Sequence, residues 1–254
     1  MDIRKKLNMS RGKRFDRVAS LLLNDKEATV HGTWPGLTEL NGRPADKKSA
    51  NRFFLGAILD YRIPAETAWA NASWLVDYLG NPNDLWGAIS DIPLETWSAQ
   101  WSDPAYRLHR YPKGHERVWT IGQRISKEYG GDARRIWRGL EPAKVLTRLE
   151  ALKVGAQIAR MIVGALRDTG QITGTGDVKA DIHVRRVLGR VLTGDAPLTP
   201  EDATEVTRAM YPDDPWRLDA PLYWLGRRVC RAISPDHINC YLNRECLYYA
   251  REQR

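Results

Sequence analysis

Residues 149–192 read LEALKVGAQIARMIVGALRDTGQITGTGDVKADIHVRRVLGRVL, and they contain segments with the 3.6-residue apolar period of a helix. One helix ends near Leu152 and a second begins just after Gly155, so the turn between them is very short and carries Lys153. A polar, Gly-rich link follows, and Asp181 stands directly before another apolar helical run. The stretch predicts a helical hairpin and then a helix that starts at an acidic residue.

The same helical period recurs across most of the chain, and no segment shows the sustained two-residue alternation of a half-buried strand. Ser49 is the predicted N-cap of the helix that follows it. The sequence therefore predicts an all-α fold. We expect helices within residues 15–23, 49–59, 65–79, 85–89, 94–100, 115–129, 132–138, 142–149, 200–210 and 218–233.

The net charge points to a polyanionic partner. A formal charge of +8 and a pI near 9.5 favour nucleic acid, the commonest such partner, over a basic surface with no binding role. No apolar run approaches the roughly 20 residues that span a bilayer, and the basic N-terminus lacks the apolar core of a secretory signal. We expect a cytoplasmic protein that does not bind membranes.

The turn at Lys153, Val154 and Gly155 predicts a phosphate-binding element. The first N–H groups of the second helix have no intrahelical acceptor, and the positive end of the helix dipole attracts anions. Lys153 adds a positive charge at the same place. An ordinary turn between two packed helices is the alternative that these residues leave open.

Asp181 is the candidate catalytic carboxylate. It directly precedes an apolar helix face, so its alternative role is that of an N-cap. Asp177 is the other carboxylate nearby, and we rank it below Asp181. The helix face consists of Val184, Val187, Leu188 and Val191.

Together, the hairpin and Asp181 resemble the motifs of the helix-hairpin-helix (HhH-GPD) DNA glycosylases of the endonuclease III superfamily. There, a hairpin motif L-x-G-V-G-x-x-x-A precedes a D-x-H-V-x-R segment that carries the catalytic aspartate. Residues 51–59 (NRFFLGAIL) resemble the first helix of that superfamily's barrel, and residues 128–132 (EYGGD) resemble one of its common turns. The resemblance covers most of residues 49–250.

The resemblance implies two helical subdomains with a DNA cleft between them. Residues 46–168 are expected to form a six-helix barrel that includes the helix-hairpin-helix motif. Residues 1–45 and 169–254 are expected to form a discontinuous helical subdomain that holds a metal cluster. The resemblance also implies a monomer that binds double-stranded DNA through Lys153, Val154, Gly155, Gln157 and Arg62.

Two departures from the hairpin motif bear on the expected chemistry. Lys153 replaces the first glycine, which shapes the turn. Gln157 stands where bifunctional members carry the lysine that forms a Schiff base, so covalent lyase chemistry lacks its usual nucleophile. We expect a monofunctional glycosylase without AP-lyase activity, although the nearby amines of Lys153 and Lys179 leave lyase activity open.

The turn Asp60-Tyr61-Arg62 occupies the place where the superfamily commonly has a Ser-x-Gln element, which fills the gap left by an extruded base. We expect Asp60 and Tyr61 at the base pocket and Arg62 as a side chain inserted into bent DNA. An ordinary exposed helix end is the alternative. His109 and Arg110 are further candidates for base recognition, with a structural hydrogen bond as the alternative.

Cys230, His237, Cys240 and Cys246 form a candidate metal site. Clustered cysteines in a chain without a secretory signal indicate a metal or cluster site and not a disulfide framework. Their spacing resembles the four-Cys [4Fe–4S] loop of many endonuclease III relatives, with His237 in the second position. The resemblance implies a structural [4Fe–4S] cluster; the alternatives are a Cys3His zinc site and a degenerate loop with three free thiols.

The function implied by the resemblance is excision of a damaged, mispaired or modified base. Asp181 would stabilise the oxocarbenium-like sugar and orient or deprotonate the attacking water. Two other functions stay open: a defence or restriction glycosylase that acts on foreign DNA, and a catalytically silent DNA-binding relative. The identity of the base is not determined by the sequence.

Overall fold

The computed structural model describes residues 12–26, 28, 40, 45–81, 83–103 and 108–253. These residues include no β-strand, so the all-α prediction is confirmed. None of the helices in the same ranges is both long and apolar enough to cross a membrane. The helices are α1 (Lys13–Leu23), α2 (Lys47–Leu59), α3 (Ala65–Leu79), α4 (Leu85–Ser90), α5 (Leu94–Ser102), α6 (Pro112–Tyr129), α7 (Pro142–Ala151), α8 (Ala156–Asp168), α9 (Ile182–Thr193), α10 (Pro200–Met210), α11 (Asp219–Arg228) and α12 (Leu247–Glu252), with short 3-10 helices at Ala133–Ile136, Pro215–Leu218 and Asn243–Glu245.

The chain divides into two compact units, each with its own hydrophobic core. Residues 34–174, here called the hairpin unit, contain α2–α8. Residues 1–33 and 175–254, here called the cysteine unit, contain α1 and α9–α12. The sequence-based boundaries, at residues 45/46 and 168/169, stay a prediction, as does the six-helix barrel.

Helix α2 forms the centre of the hairpin unit's core. It is buried along most of its length, including the polar side chain of Asn51. The Asn51 amide donates to the carbonyl of Gly131 (2.9 Å) and accepts from the N–H of Ala133 (2.9 Å), so its polar groups are paired despite burial. One asparagine thus fixes the turn after α6 against α2.

Two of the helix boundaries that differ from the sequence-based predictions have a clear physical cause. The prediction of Ser49 as the N-cap of α2 was wrong. Asp46 is the N-cap, and its carboxylate accepts a hydrogen bond from the Ser49 N–H at 2.8 Å. The helix expected over residues 218–233 is shorter, since α11 ends at Arg228. The N–H of Cys230 donates to the Leu225 carbonyl (2.8 Å), one residue before its helical partner, and the Gly226 carbonyl accepts from Arg186 instead (2.6 Å).

Close packing of α9 and α11 organises the cysteine unit. The Cβ of an alanine at Gly226, on α11, would lie only 2.9 Å from the Cβ and the carbonyl oxygen of His183, on α9. Glycine at this position therefore lets the start of α9 contact the backbone of α11. The first turn of α9 carries the residues next to Asp181, so this contact helps to position them.

Candidate functional site

The hairpin between α7 and α8 has the backbone expected of a glycine turn, although Lys153 replaces one of the glycines. Lys153 has φ +59° and Gly155 has φ +91°, both outside the region that L side chains favour. The N–H of Lys153 donates to Glu150 (2.9 Å) and that of Val154 to Leu149 (3.1 Å), while the Val154 side chain is buried. The turn geometry is thus retained with a strained lysine.

The N-terminus of α8 offers donors for an anion. Its N-cap, Gly155, has no side chain to accept hydrogen bonds, and the first backbone bond of the helix runs from Ala159 to the Gly155 carbonyl. The earlier N–H groups therefore have no helical acceptor. Gly155 and Lys153 are exposed, and the dipole adds positive potential, so this end suits a phosphate oxygen. Gln157 lies in the first turn of α8 and is half-buried.

The turn at Asp60, Tyr61 and Arg62 lies in the same unit and exposes an aromatic ring. Asp60 ends α2, and Arg62 has a left-handed φ of 56° that is unusual for arginine. The Tyr61 side chain is 37% exposed, and the Arg62 guanidinium lies 5.1 Å from the centre of its ring. The exposed ring and cation agree with the predicted contact with DNA bases and backbone, which stays a prediction.

His109 supports this turn. Its Nε2 lies 2.9 Å from the Tyr61 carbonyl oxygen, and its ring lies 6.3 Å from the Tyr61 ring with the planes within 20°. An alanine Cβ at Gly114 would fall 2.3 Å from the His109 Nδ1, so the glycine on α6 leaves room for the imidazole. His109 therefore makes a structural hydrogen bond, the alternative role considered for it. Tyr106, in the loop that precedes it, lies outside the described residues.

Arg117, on α6, joins this group and was not singled out by the sequence. Its guanidinium lies 5.6 Å from the centre of the Tyr61 ring. An alanine Cβ at Gly155 would lie 3.4 Å from its Nη2. Burial lowers the pKa of the Arg117 guanidinium, and the interaction with Tyr61 partly opposes that shift. An arginine within an amphipathic helix gives no signal in a single sequence that it points inward.

In the cysteine unit, Asp181 is the N-cap of α9. Its Oδ1 accepts from the N–H of His183 (2.8 Å) and from that of Val184 (3.0 Å). Both bonds use one oxygen, so the cap leaves Oδ2 available, and the side chain is half-buried. Capping holds the carboxylate in a fixed position near the positive end of the helix dipole. The N-cap role is therefore compatible with a chemical role.

Asp177 has a different environment. Its two carboxylate oxygens accept from Nε and Nη2 of Arg208, at 2.7 and 2.6 Å. A bidentate pair of this kind fixes the geometry of both partners. Asp177 is thus engaged in a structural ion pair, which agrees with its lower rank.

Arg186 connects the start of α9 to the cysteine loop. Its Nη2 lies 3.0 Å from His183 Nδ1 and 2.6 Å from the Gly226 carbonyl oxygen, and its Nε donates to the Cys230 carbonyl at 2.8 Å. The side chain is buried, and burial lowers the pKa of the guanidinium. A buried cation needs acceptors for its donors, so these three groups are held in one arrangement.

The four predicted metal ligands, Cys230, His237, Cys240 and Cys246, line one cavity. The three thiols are free, and burial raises the pKa of the Cys240 thiol to about 11 and raises that of Cys246. Thiols in such a cavity ionise when a metal supplies positive charge. Within the described ranges, however, no group of three His, Cys, Asp or Glu side chains is arranged to hold a single metal ion.

His237 also has partners within the protein. Its Nε2 lies 2.7 Å from a carboxylate oxygen of Glu252, and its ring stacks on Tyr249 with centroids 4.7 Å apart. The three thiols that line the cavity suit an iron–sulfur cluster, because each iron of a cluster binds its own thiolate. A single zinc ion fits less well, because it needs all four donors around one point.

Comparisons with known proteins agree with the fold. The chain is 27% identical to endonuclease III of Thermotoga maritima over 197 residues, which are 75% of this chain and 71% of that protein. Among solved structures, it is similar to a thermostable thymine-DNA glycosylase (TM-score 0.65, 13% identity) and to endonuclease III in a non-covalent DNA complex (TM-score 0.63, 16% identity); each match covers 94% of this chain and 98% of the other.

Endonuclease III trapped as a covalent intermediate with DNA is similar as well, with a TM-score of 0.58, 17% identity and coverage of 80% of this chain and 87% of that one. No family model matches the chain. The resemblance to the helix-hairpin-helix endonuclease III superfamily, drawn from the motifs, is confirmed.

Replacing Lys153 by glycine is expected to stabilise the protein. Relief of left-handed strain, roughly 1–2 kcal/mol, outweighs the greater backbone freedom of glycine in the unfolded chain, roughly 0.5–1 kcal/mol. Urea unfolding should show a gain of about 0.5–1 kcal/mol for Lys153→Gly. The matched control, Lys144→Gly on the exposed face of α7, should lose about 1 kcal/mol. A loss in both variants would contradict the strained-turn interpretation.

Replacing Arg186 by methionine is expected to destabilise the protein by about 3 kcal/mol, because buried carbonyls of Gly226 and Cys230 lose their donors. Arg185→Met is the control: Arg185 is the neighbouring residue on α9 and bonds one carbonyl, that of Leu198, so about 1 kcal/mol is expected. Urea unfolding measures both. Equal losses of unfolding free energy in the two variants would show that the Arg186 contacts stabilise the protein no more than the single bond of Arg185 does.

Proposed function

We propose that this protein, which has the fold of the endonuclease III superfamily of DNA glycosylases, is a monofunctional DNA glycosylase. It hydrolyses the N-glycosidic bond of a damaged, mispaired or modified base that has been flipped out of double-stranded DNA. It acts as a cytoplasmic monomer. The observation that carries the proposal is the fixed Asp181 carboxylate at the start of α9, with one oxygen held by two N–H groups.

Asp181 is proposed as the catalytic residue. Positive charge builds on the deoxyribose as the bond to the base breaks, and a carboxylate stabilises that charge. Because the cap bonds use Oδ1, Oδ2 is the oxygen proposed to orient or deprotonate the attacking water. A carboxylate that is already fixed needs little reorganisation during the reaction.

The DNA contacts are proposed to come from the hairpin unit. The free N–H groups of α8, with Lys153, Val154, Gly155 and Gln157, would bind phosphate oxygens. Extruding a base costs a few kcal/mol, and Arg62 would fill the space that the base leaves. Asp60 and Tyr61 would border the base pocket, and the exposed Tyr61 ring supports this assignment.

Hydrolysis without lyase chemistry is supported by position 157. A Schiff base needs an amine, and the Gln157 amide cannot form one. The covalent intermediate trapped with endonuclease III is a property of that protein. In this chain, water is proposed as the nucleophile.

Cys230, Cys240 and Cys246, with His237, are proposed to hold a [4Fe–4S] cluster; zinc is the alternative. The cluster would supply rigid cross-links between the turns of residues 229–246, a structural role. The protein itself contributes the cavity that presents the thiols. It also contributes the Cys230 carbonyl, which accepts a hydrogen bond from Arg186.

Excision by wild type and by Asp181→Asn tests the proposal. Wild type, incubated with duplexes that carry different lesions and mismatches, should produce strand breaks only after alkali treatment. Asp181→Asn keeps the side-chain oxygen needed for capping and should bind DNA normally, but it should excise at least about 100-fold more slowly. Asp177→Asn is the matched control and should keep most of the activity.

Four outcomes would contradict parts of the proposal. Full activity of Asp181→Asn would remove Asp181 from the mechanism. Strand breaks without alkali would indicate a lyase. Binding without excision of any base would favour the alternative of a catalytically silent DNA-binding relative, while excision from unmodified recognition sites alone would favour a defence glycosylase.

A further inference from the structure

Arg117 has hydrogen-bond donors that nothing in the described part of the chain satisfies. Its Nε and Nη2 are both fully buried and without an acceptor among those residues. A buried donor left unpaired destabilises the folded protein, and more so when it is charged. The guanidinium also has no carboxylate among the groups that shift its pKa; only Tyr61 offsets the effect of burial. An acceptor from outside the protein would complete this site.

The two unpaired nitrogens define the shape of that acceptor. Nε and Nη2 form one edge of the planar guanidinium, and their N–H bonds point in parallel. Such an edge matches two acceptor atoms that lie side by side in one plane. Either two oxygens of a phosphate or two adjacent acceptors on the edge of a nucleobase would satisfy it.

The surroundings of Arg117 favour a flat, buried ligand. Its guanidinium lies by the ring of Tyr61, which is itself flanked by the His109 ring and belongs to a partly exposed residue. Gly155 has no side chain, which leaves space beside Nη2. A phosphate on the DNA surface would instead meet the exposed cations Arg62 and Lys153 first.

We propose that Arg117 is a specificity-determining residue that recognises the extruded base, through Nε and Nη2, by two adjacent acceptors on one edge of the base. Guanine, with O6 and N7, and cytosine, with O2 and N3, present such an edge. Adenine and thymine do not. This proposal rests on the proposed function and adds the class of base that the pocket accepts.

Tyr61 has a defined part in this recognition. In the free protein the centre of its ring lies 5.6 Å from the guanidinium, and the residue as a whole is 37% exposed, so it is the covering group that an incoming base can displace or stack on. The strained φ of Arg62 lies at the next residue, in the turn that carries the ring. The backbone of Arg117, in contrast, is held within α6.

Binding to extrahelical bases tests the proposal independently of catalysis. The parent protein is Asp181→Asn, and the probes are four duplexes that differ only in one bulged nucleotide: guanine, cytosine, adenine or thymine. Fluorescence anisotropy gives each Kd at several salt concentrations. The parent should bind the guanine and cytosine probes at least about fivefold more tightly than the other two. No preference in the parent would overturn the proposal, whatever the variants do.

Arg117→Lys keeps the charge but lacks the parallel donors, and it should bind all four probes about equally while keeping the salt dependence of the parent. Arg138→Met removes an exposed arginine elsewhere in the hairpin unit, at a residue with no proposed part in binding. It should preserve the preference. If Arg117→Lys keeps the preference, Arg117 does not read the base. A third variant, Arg117→Met, removes the charge. If it weakens binding of all four probes equally and lowers the slope of log Kd against log salt concentration by about one, the ligand of Arg117 is a phosphate instead.

The failures of the two proposals can be told apart. Only the proposed function would be contradicted if the parent prefers guanine and cytosine through Arg117 but the wild type excises no base. Wild-type excision combined with binding that is indifferent to Arg117 would contradict only the further inference. Thermal unfolding of Arg117→Lys checks that the variant is folded.

Discussion

The arrangement of helices α9 and α11 and of the cysteine loop depends on the hydrogen bonds of the Arg186 guanidinium. The guanidinium is buried, and its donors reach His183, two residues after Asp181, together with the carbonyls of Gly226 and Cys230. Because leaving such a charge unpaired is costly, these groups are held together. A cluster bound to Cys230 would therefore order the start of α9, and the proposed structural role of the cluster becomes a role in holding Asp181.

Backbone strain is concentrated in the segments that the motifs selected. Among the residues described, three other than glycine have positive φ: Arg62, Lys153 and Ser234. They lie in the turn proposed to contact the base, in the hairpin, and in the cysteine loop. Such conformations cost of order 1–3 kcal/mol each and persist only where surrounding packing enforces them.

The sequence predicted helices well because the apolar period reports burial directly, and it failed where local chemistry decides. Ser49 and Asp46 are both good caps, and only the structure shows which side chain accepts the bond. The end of α11 was placed too late because the apolar pattern continues beyond Arg228, whereas the Gly226 carbonyl bonds Arg186 and not the N–H of the next turn. Asp181 was recognisable from its motif. Arg117 was not, because the direction of one arginine on a helix depends on tertiary packing.

The central claim is that this chain releases a free base from DNA by hydrolysis. The most direct measurement is mass spectrometry of the small molecules and strands produced from duplexes carrying single lesions or mismatches. The account predicts that free base and full-length strand with an abasic site are produced in equal molar amounts. It would be contradicted if the duplexes were bound and every base remained attached, or if the strand were released already cleaved at the abasic sugar.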